Sequence, residues 1–264
     1  MNERRDVLLI DAGNTRIKWA FYRARDKTLE TTQAHPYQNE DSLLQLKQQL
    51  ADRVCERIYL CSVAAASITR RISAIAKAVG VPLCQLKNGH MALGLKQTAY
   101  QNPTQLGVDR CVLMIGARHI QPSGNLCVVS CGTALTLDVL DSEGRHLGGI
   151  ISASPHAIRQ KVVADAAGIN KHIEFSDSDI KMDSIYTQTT EQALYNGSAL
   201  SAIGLVTLVW EKISQNHLSD ADSGAAWHLF YSGGGIAELL PYLPEQGVYY
   251  PELLMKGLAA IAEN

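Results

Sequence analysis

The stretch Leu8 to Phe21, LLIDAGNTRIKWAF, decides the fold. An apolar run reaches Asp11, the chain bends through Gly13-Asn14-Thr15, and Ile17, Trp19 and Phe21 follow at strict alternation. Period-two patterning on both sides of a short glycine-bearing bend predicts a β-hairpin. The bend also carries chemistry. Successive N–H groups in such a turn form an anion-binding concavity, glycine lets a ligand approach the backbone, and Asn14 and Thr15 add side-chain donors. Asp11 offers hard oxygen ligands of the kind that hold Mg²⁺ together with substrate phosphates and water. Lys18 falls on the face opposite Ile17 and Trp19, where it could meet the same phosphates. A turn chosen for hairpin geometry alone, with Lys18 solvated, explains the stretch equally well.

The arrangement comes twice. Leu126 to Val139, LCVVSCGTALTLDV, repeats the plan: an apolar strand, a bend at Gly132-Thr133, then Leu135, Leu137 and Val139 alternating with Thr136 and Asp138. Two copies suggest two related subdomains whose bends point into a shared cleft, with a nucleotide held between them. The best linker, Pro122-Ser123-Gly124-Asn125, divides the chain into residues 1–122 and 123–264.

Length and composition agree. The chain has 264 residues, 46% of them hydrophobic and 19% charged, with a net charge of -2, so it has core enough for two modest domains and no basic field for nucleic acid or anionic membrane. The opening MNERRDVLLIDAG has too short an apolar run for a secretory signal. Gly197 to Trp210, the longest weakly polar stretch, is too short to span a bilayer and reads as a buried helix. Six cysteines without a CxxC pair read as small core residues of a reducing compartment, and eight histidines without metal spacing make a zinc site improbable.

Taken in order, Arg23 to Thr32 leads into a third meander strand, Asp41-Ser42 caps a helix through Leu50, Arg57 to Ser62 is a strand, Ser67 to Val79 has helical spacing closed by Gly80, and Leu83 to Leu86 is a strand. This order predicts an α/β layer architecture. Tyr100 to Arg110, YQNPTQLGVDR, enters a helix whose first turn holds Asp109 and Arg110. The positive end of the helix dipole favours an ionised Asp109, which could accept a hydroxyl proton, while Arg110 offers a donor fork for a carboxylate or phosphate. Support of the helix start is the simpler role for Asp109. Leu147 to Ile151 is a third strand of the second meander, Ser154-Pro155 opens a helix, and Lys171 to Ser184 reads as a polar surface loop. Thr189-Thr190-Glu191-Gln192 has the capping-box pattern of a long helix carrying Leu194, Ile203, Val206 and Leu208. Trp227 to Tyr231 is a last buried strand, Ser232-Gly233-Gly234-Gly235 leads into a helix over Ile236 to Tyr242, a strand-to-helix turn suited to a nucleotide, and Pro251 to Ala262 closes the chain as a helix.

DAGNTRIK at Asp11 to Lys18, YQNPTQLGVDR at Tyr100 to Arg110, SCGTALTLD at Ser130 to Asp138, the Gly148-Gly149-Ile150 strand, TEQA at Thr190 to Ala193 and SGGG at Ser232 occur in one chain in this order. Together they resemble the type III pantothenate kinases. The first and third motifs are shared in outline with the wider superfamily of acetate and sugar kinases, heat-shock ATPases and actin; the Tyr-x-Asn-Pro and Gly-x-Asp-Arg pair between them narrows the resemblance. It implies an α/β fold of two ribonuclease-H-like (actin-like ATPase) domains with the nucleotide in the cleft between them. It also implies cytoplasmic location, a homodimer joined through a helix of the second domain, no nucleic-acid or membrane partner, and ATP-dependent phosphorylation of pantothenate as the first step to coenzyme A.

By the same resemblance, Asp11, Ala12, Gly13, Asn14, Thr15, Arg16, Ile17 and Lys18 would hold the ATP phosphates with Asp11 on Mg²⁺, Thr133 would contact ATP from the second bend, and Gly233, Gly234 and Gly235 would border the adenosine. Tyr100, Gly107, Val108, Asp109 and Arg110 would line the pantothenate site, with Asp109 as base and Arg110 on the carboxylate. Thr190 of the partner subunit would touch pantothenate, which puts the active site at the dimer interface. Many members carry an aspartate, tied to a potassium or ammonium ion, where this chain has Ser130, and a neutral hydroxyl is a weaker cation ligand. A monovalent-cation requirement is therefore doubtful. Ser152-Ala153-Ser154-Pro155 stands where the family places a Pro-Gly turn, and Thr189 where Asn is frequent. Two other readings remain at this point: a kinase of another small alcohol, and a non-catalytic nucleotide-binding regulatory protein.

Overall fold

The computed structural model describes residues 6–37, 41–165, 185–215 and 224–264. The expected surface loop at Lys171 to Ser184 lies outside them. The opening hairpin forms as its alternation requires: β1 (Asp6–Ala12) and β2 (Arg16–Arg23) run antiparallel with Ala12 opposite Ile17 and Asp11 opposite Lys18. Two short strands, β3 (Thr28–Leu29) and β4 (Gln33–Pro36), replace the single third meander strand, and both pair with β2. Helix α1 (Asp41–Ala51), strand β5 (Arg57–Ser62), helix α2 (Ala66–Val79) and strand β6 (Leu83–Gln85) complete the layer. β5 pairs in parallel with β1, and β6 in parallel with β5. Leu8, Ile10, Ile17 and Trp19 on one face of this sheet meet Leu46, Leu50, Ile72 and Ala76 from the helices. The other face, with Val7, Leu9, Tyr22 and Cys61, packs on Val108, Val112, Met255 and Leu258. Both faces are therefore apolar, which is why the strands carry near-continuous hydrophobic runs.

Strand β7 (Gln97–Thr98) and helix α3 (Val108–Ile120) follow, then β8 (Asn125–Cys131), β9 (Ala134–Leu140), β10 (Arg145–Ala153), α4 (Pro155–Asp165), α5 (Thr190–Gln215), β11 (Trp227–Ser232), β12 (Gly247–Tyr249) and α6 (Leu253–Ala262). The second sheet has the order β12-β11-β8-β9-β10-β7. The chain divides into two compact units that cut across chain order. Unit 1 comprises 1–126, 138–148 and 252–264; unit 2 comprises 127–137 and 149–251. β8, β9 and β10 each pass from one unit into the other along their length.

Two local expectations change. The helix expected over Ile236 to Tyr242 is replaced by 3₁₀ turns at Gly234–Ile236 and Leu240–Tyr242. Pro241 has no N–H to give an α-helical turn and biases the residue before it away from helical geometry. Helix α5 is 26 residues long, well beyond the apolar stretch read from sequence, and by length and composition it could cross a membrane. Its Tyr195, Ala199, Ala202, Val206 and Trp210 instead sit in the core of unit 2 with Val129, Leu135 and Tyr231. That packing is that of a core helix, although Leu208 is exposed rather than buried.

Candidate active site

In unit 1 the end of β1 and the start of α3 bring two carboxylates together. Asp11 is half-buried, flanked across the hairpin by Lys18 and on the parallel side by Cys61. Burial pushes its carboxyl up to about 6; Lys18 opposes the rise and the negative charge of Asp109 adds to it. Asp109, the second residue of α3, is also raised, first by burial and also by the charge of Asp138, against the Arg110 N–H that its Oδ1 accepts at 2.9 Å and the Arg110 charge. The helix dipole favours the ionised form of Asp109, and burial outweighs it. A carboxylate raised in this way is a stronger proton acceptor.

The local chain is shaped around this carboxylate. Gly107 is the residue before α3, and a Cβ there would lie 2.7 Å from Asp109 Oδ1, so glycine leaves the carboxylate its position. Asn88 Oδ1 accepts from Val108 N at 3.1 Å, which satisfies one of the helix's opening donors. Val108 itself is buried in the core, as are Ala12 and Ile17. The side chains of these three are therefore closed to a ligand, and only their backbone groups are available. Asn14, Thr15 and Arg16 are exposed around the bend, where Gly13 N donates to Arg16 O at 3.1 Å.

Arg110 is placed differently from the expectation of a free carboxylate fork. It is 4% exposed, and its Nε and Nη2 donate to Asp138 Oδ2 and Oδ1 at 2.9 and 2.6 Å while Nη1 donates to the Tyr100 hydroxyl at 2.8 Å. Burial alone would lower its pKa, yet the paired carboxylate of Asp138 raises it. Asp138 also meets His146 Nε2 at 2.9 Å. Sequence reading assigned no role to Asp138 or His146. The one available signal was an aspartate at the polar phase of a strand that is otherwise core.

Unit 2 brings the second bend and the glycine run together. Gly233 adopts φ +88°, and a Cβ there would lie 2.3 Å from the Cys131 carbonyl oxygen; one at Gly235 would lie 2.9 Å from Cys131 Sγ. The turn thus rests directly on the end of β8, one residue before the Gly132-Thr133 bend. Thr133 is exposed, and its carbonyl accepts from Ser154 Oγ at 3.0 Å. Ser154 Oγ in turn accepts from Ala157 N at 3.2 Å, so the residue standing in place of a Pro-Gly turn caps α4 and ties it to the bend. A buried cluster that sequence reading missed lies in the same unit: Arg159 Nη1 meets Ser198 Oγ at 3.2 Å and its guanidinium stacks 4.6 Å from the Tyr195 ring, while the Tyr195 hydroxyl donates to Glu238 at 2.7 Å. At the start of α5, Thr189 Oγ1 accepts from Gln192 N at 3.2 Å, so Thr189 is the cap. Thr190 begins the helix with an exposed side chain.

No group of three or more His, Cys, Asp and Glu side chains among the described residues could hold a metal ion. The donor set suits Mg²⁺ all the same, because that ion binds through one or two carboxylates plus phosphate oxygens and water, and the elevated Asp11 beside Asp109 is an acidic site that a dication would relieve.

Comparison with known proteins shows the family. The family model described as type III pantothenate kinase matches residues 7–212. The chain is similar to the type III pantothenate kinase of Halorhodospira halophila, 33% identical over 256 residues and covering 95% of each chain. It is equally similar to that of Xylella fastidiosa strain M23, 33% identical over 264 residues, 97% of this chain and 98% of the other. Among solved structures it is similar to a Baf family transcriptional activator from Campylobacter jejuni, with a TM-score of 0.57, 20% identity and coverage of 97% and 98%, a likeness of fold. The architecture is α/β with two sheets. The chain belongs to the type III pantothenate kinase family.

Proposed function

We propose that the chain transfers the γ-phosphoryl group of ATP to the hydroxyl of pantothenate, giving 4'-phosphopantothenate, with Asp109 as the base and Asp11 as the Mg²⁺ ligand. Asp109 takes the hydroxyl proton, the freed oxygen forms a bond to the γ-phosphorus, and the bond to the bridging oxygen breaks to release ADP. Such a transfer needs positioning and charge stabilisation more than covalent help. Bound Mg²⁺ would supply charge neutralisation at the phosphates. Lys18, opposite Asp11, and the N–H groups of the 13–15 bend are the chain's own contribution to the same task. The observation that carries the reading is the electrostatic coupling of Asp11 and Asp109, two elevated carboxylates contributed by a strand end and a helix start.

The remaining assignments follow the same reading. Thr133 and Gly233 to Gly235 serve ATP; Tyr100 and the backbone at Gly107 and Val108 serve pantothenate. Arg110, already paired to Asp138, serves the pantothenate side by holding the Tyr100 hydroxyl in place. Residues 1–122 and 123–264 are two related halves, the enzyme works in the cytoplasm, and Ser130 relieves a monovalent-cation requirement. The protein is a homodimer joined through α5. Gly197, Leu200, Ser201, Gly204 and Leu208 recur on α5 at spacings of three and four and are all exposed, a smooth apolar stripe of the kind two helices pack across. Exposed Thr190 on the same helix suits the role of a residue lent to the partner.

The test is ADP release from purified protein with Mg-ATP, with and without pantothenate, in potassium buffer and in sodium buffer free of potassium and ammonium. Pantothenate-dependent ADP in both is the expected result. Dependence on potassium would return the cation to other ligands, and no ADP in either buffer would overturn the reading.

A further inference from the structure

Thr98, Tyr100, Arg110, Asp138 and His146 all lie in unit 1 and form a closed cycle of hydrogen bonds. Tyr100 N donates to Thr98 Oγ1 at 3.2 Å, Thr98 Oγ1 meets His146 Nδ1 at 2.9 Å, and His146 Nε2 meets Asp138 Oδ1 at 2.9 Å. Arg110 joins both Asp138 oxygens, and its Nη1 reaches the Tyr100 hydroxyl. The cycle thus leaves the Tyr100 backbone and returns to the Tyr100 side chain. β7 pairs with β10 at Thr98 opposite His146, so the backbone holds the two linked side chains in register.

The hydrogens can be assigned by elimination. An ionised Asp138 only accepts, so His146 carries its proton on Nε2. With Nδ1 as the ring's lone-pair nitrogen, the Thr98 hydroxyl donates to it. That leaves the Thr98 oxygen to accept from Tyr100 N, as the geometry requires. The Tyr100 oxygen accepts from Arg110, so its own hydrogen is not used inside the cycle. Asp138, His146 and Arg110 are buried, whereas Tyr100 is only half-buried. The two remaining Arg110 N–H groups belong to a buried guanidinium, so the donor that the cycle offers outward is the Tyr100 hydroxyl.

We propose that Thr98, His146 and Asp138 are positioning residues for the acid substrate: they lock Arg110 and Tyr100 so that the phenolic hydrogen is presented as a fixed donor. This rests on the pantothenate kinase reading above. Asp138 neutralises Arg110 and sets the direction of its fork. His146 and Thr98 close the cycle, so that Tyr100 is held from its backbone and its ring at once.

The experiment uses the full-length protein and steady-state kinetics. Thr98→Val keeps the side-chain shape and removes the hydroxyl without unpairing Arg110. It is expected to raise the KM for pantothenate by roughly three- to tenfold, the loss of one neutral hydrogen bond, with the KM for ATP held, and to lower the melting temperature because His146 Nδ1 loses its partner. Thr98→Ser restores the hydroxyl and should restore the KM. If Thr98 acts through Tyr100, the double variant Thr98→Val/Tyr100→Phe binds pantothenate no worse than Tyr100→Phe alone. Equal rises in both KM values, failure of serine to rescue, or additive effects would overturn the proposal. Nitrogen-15 NMR of the histidines reads the cycle without turnover: His146 should be the Nε2–H tautomer, and an Nδ1–H tautomer would refute the hydrogen assignment. Wild-type protein that shows this tautomer but makes no pantothenate-dependent ADP would overturn the kinase reading and the positioning role with it, while leaving the cycle itself standing.

Discussion

Replacing Asp11 by Asn should stabilise the unliganded protein, and the gain should depend on pH in a direction fixed by the site. The Asp11 carboxyl rises from its ordinary 3.8 to about 6 on folding, chiefly through burial. At 1.36 kcal/mol per pKa unit, the ionised form costs the folded chain about 3 kcal/mol relative to the protonated form. The folded state holds this proton more tightly than the unfolded chain does. Stability from the protonated group is therefore complete below pH 3.8, falls as pH rises toward 6, and is fully lost above that. Asn carries no charge and escapes the loss. By this arithmetic, urea unfolding should find D11N ahead of wild type by up to about 3 kcal/mol at pH 7.5, and by roughly half of that at pH 5. Asp109 titrates in both proteins, so the wild-type-minus-variant difference isolates Asp11 and its coupling to Asp109. Mg-ATP should narrow the gap, because it binds the folded wild type and repays the cost of the charge. A variant no more stable than wild type at pH 7.5, or a difference equal at the two pH values, would refute the claim that ionised Asp11 is held against its own burial.

Asp109→Asn should abolish turnover while leaving ATP binding by calorimetry nearly intact; an unchanged rate removes Asp109 from the mechanism. Thr190→Val should raise the KM for pantothenate more than that for ATP, and the reverse pattern would sink its assignment. Gly233→Ala meets both a positive φ and the Cys131 carbonyl, so unfolding measurements should show a loss of at least about 1–3 kcal/mol, together with weaker ATP binding. A variant as stable as wild type would mean that the turn can move off β8. Leu208→Glu puts a charge on the exposed stripe of α5, and sedimentation velocity should show monomers; an intact dimer would place the interface elsewhere.

The elements set by local rules were legible before the structure. Alternation about Gly13 gives the β1–β2 hairpin and places Asp11 and Lys18 on one face, because side-chain direction in a strand has period two. Gly80 closes α2 with a left-handed φ of 74°, which is the reason glycine marks helix ends. What failed was set by neighbours. The Ile236 to Tyr242 segment has helical residues, but Pro241 interrupts it. The limits of the compact units likewise do not follow chain order, because three strands are divided along their length. Asp138 lies 28 residues from Arg110, and no local pattern says which arginine an aspartate will meet.

That pairing decides how the site divides its charges. Unit 1 places three carboxylates, Asp11, Asp109 and Asp138, within electrostatic reach of one another or of a shared neighbour. Two cations stand near them, Lys18 and Arg110. Arg110 gives two of its donors to Asp138 in a buried, two-pronged pair, the arrangement in which a guanidinium neutralises a carboxylate most completely. Asp138 is thereby fixed as structure. Lys18 is left to oppose the desolvation of Asp11 and does not overcome it, and Asp109 is raised as well. An arrangement that satisfied all three carboxylates would make a more stable fold and a poorer kinase, since a base held far below neutral accepts no proton and a neutralised aspartate attracts no dication. Committing the arginine to the carboxylate that does no chemistry leaves the other two with the basicity and the charge that their proposed roles require.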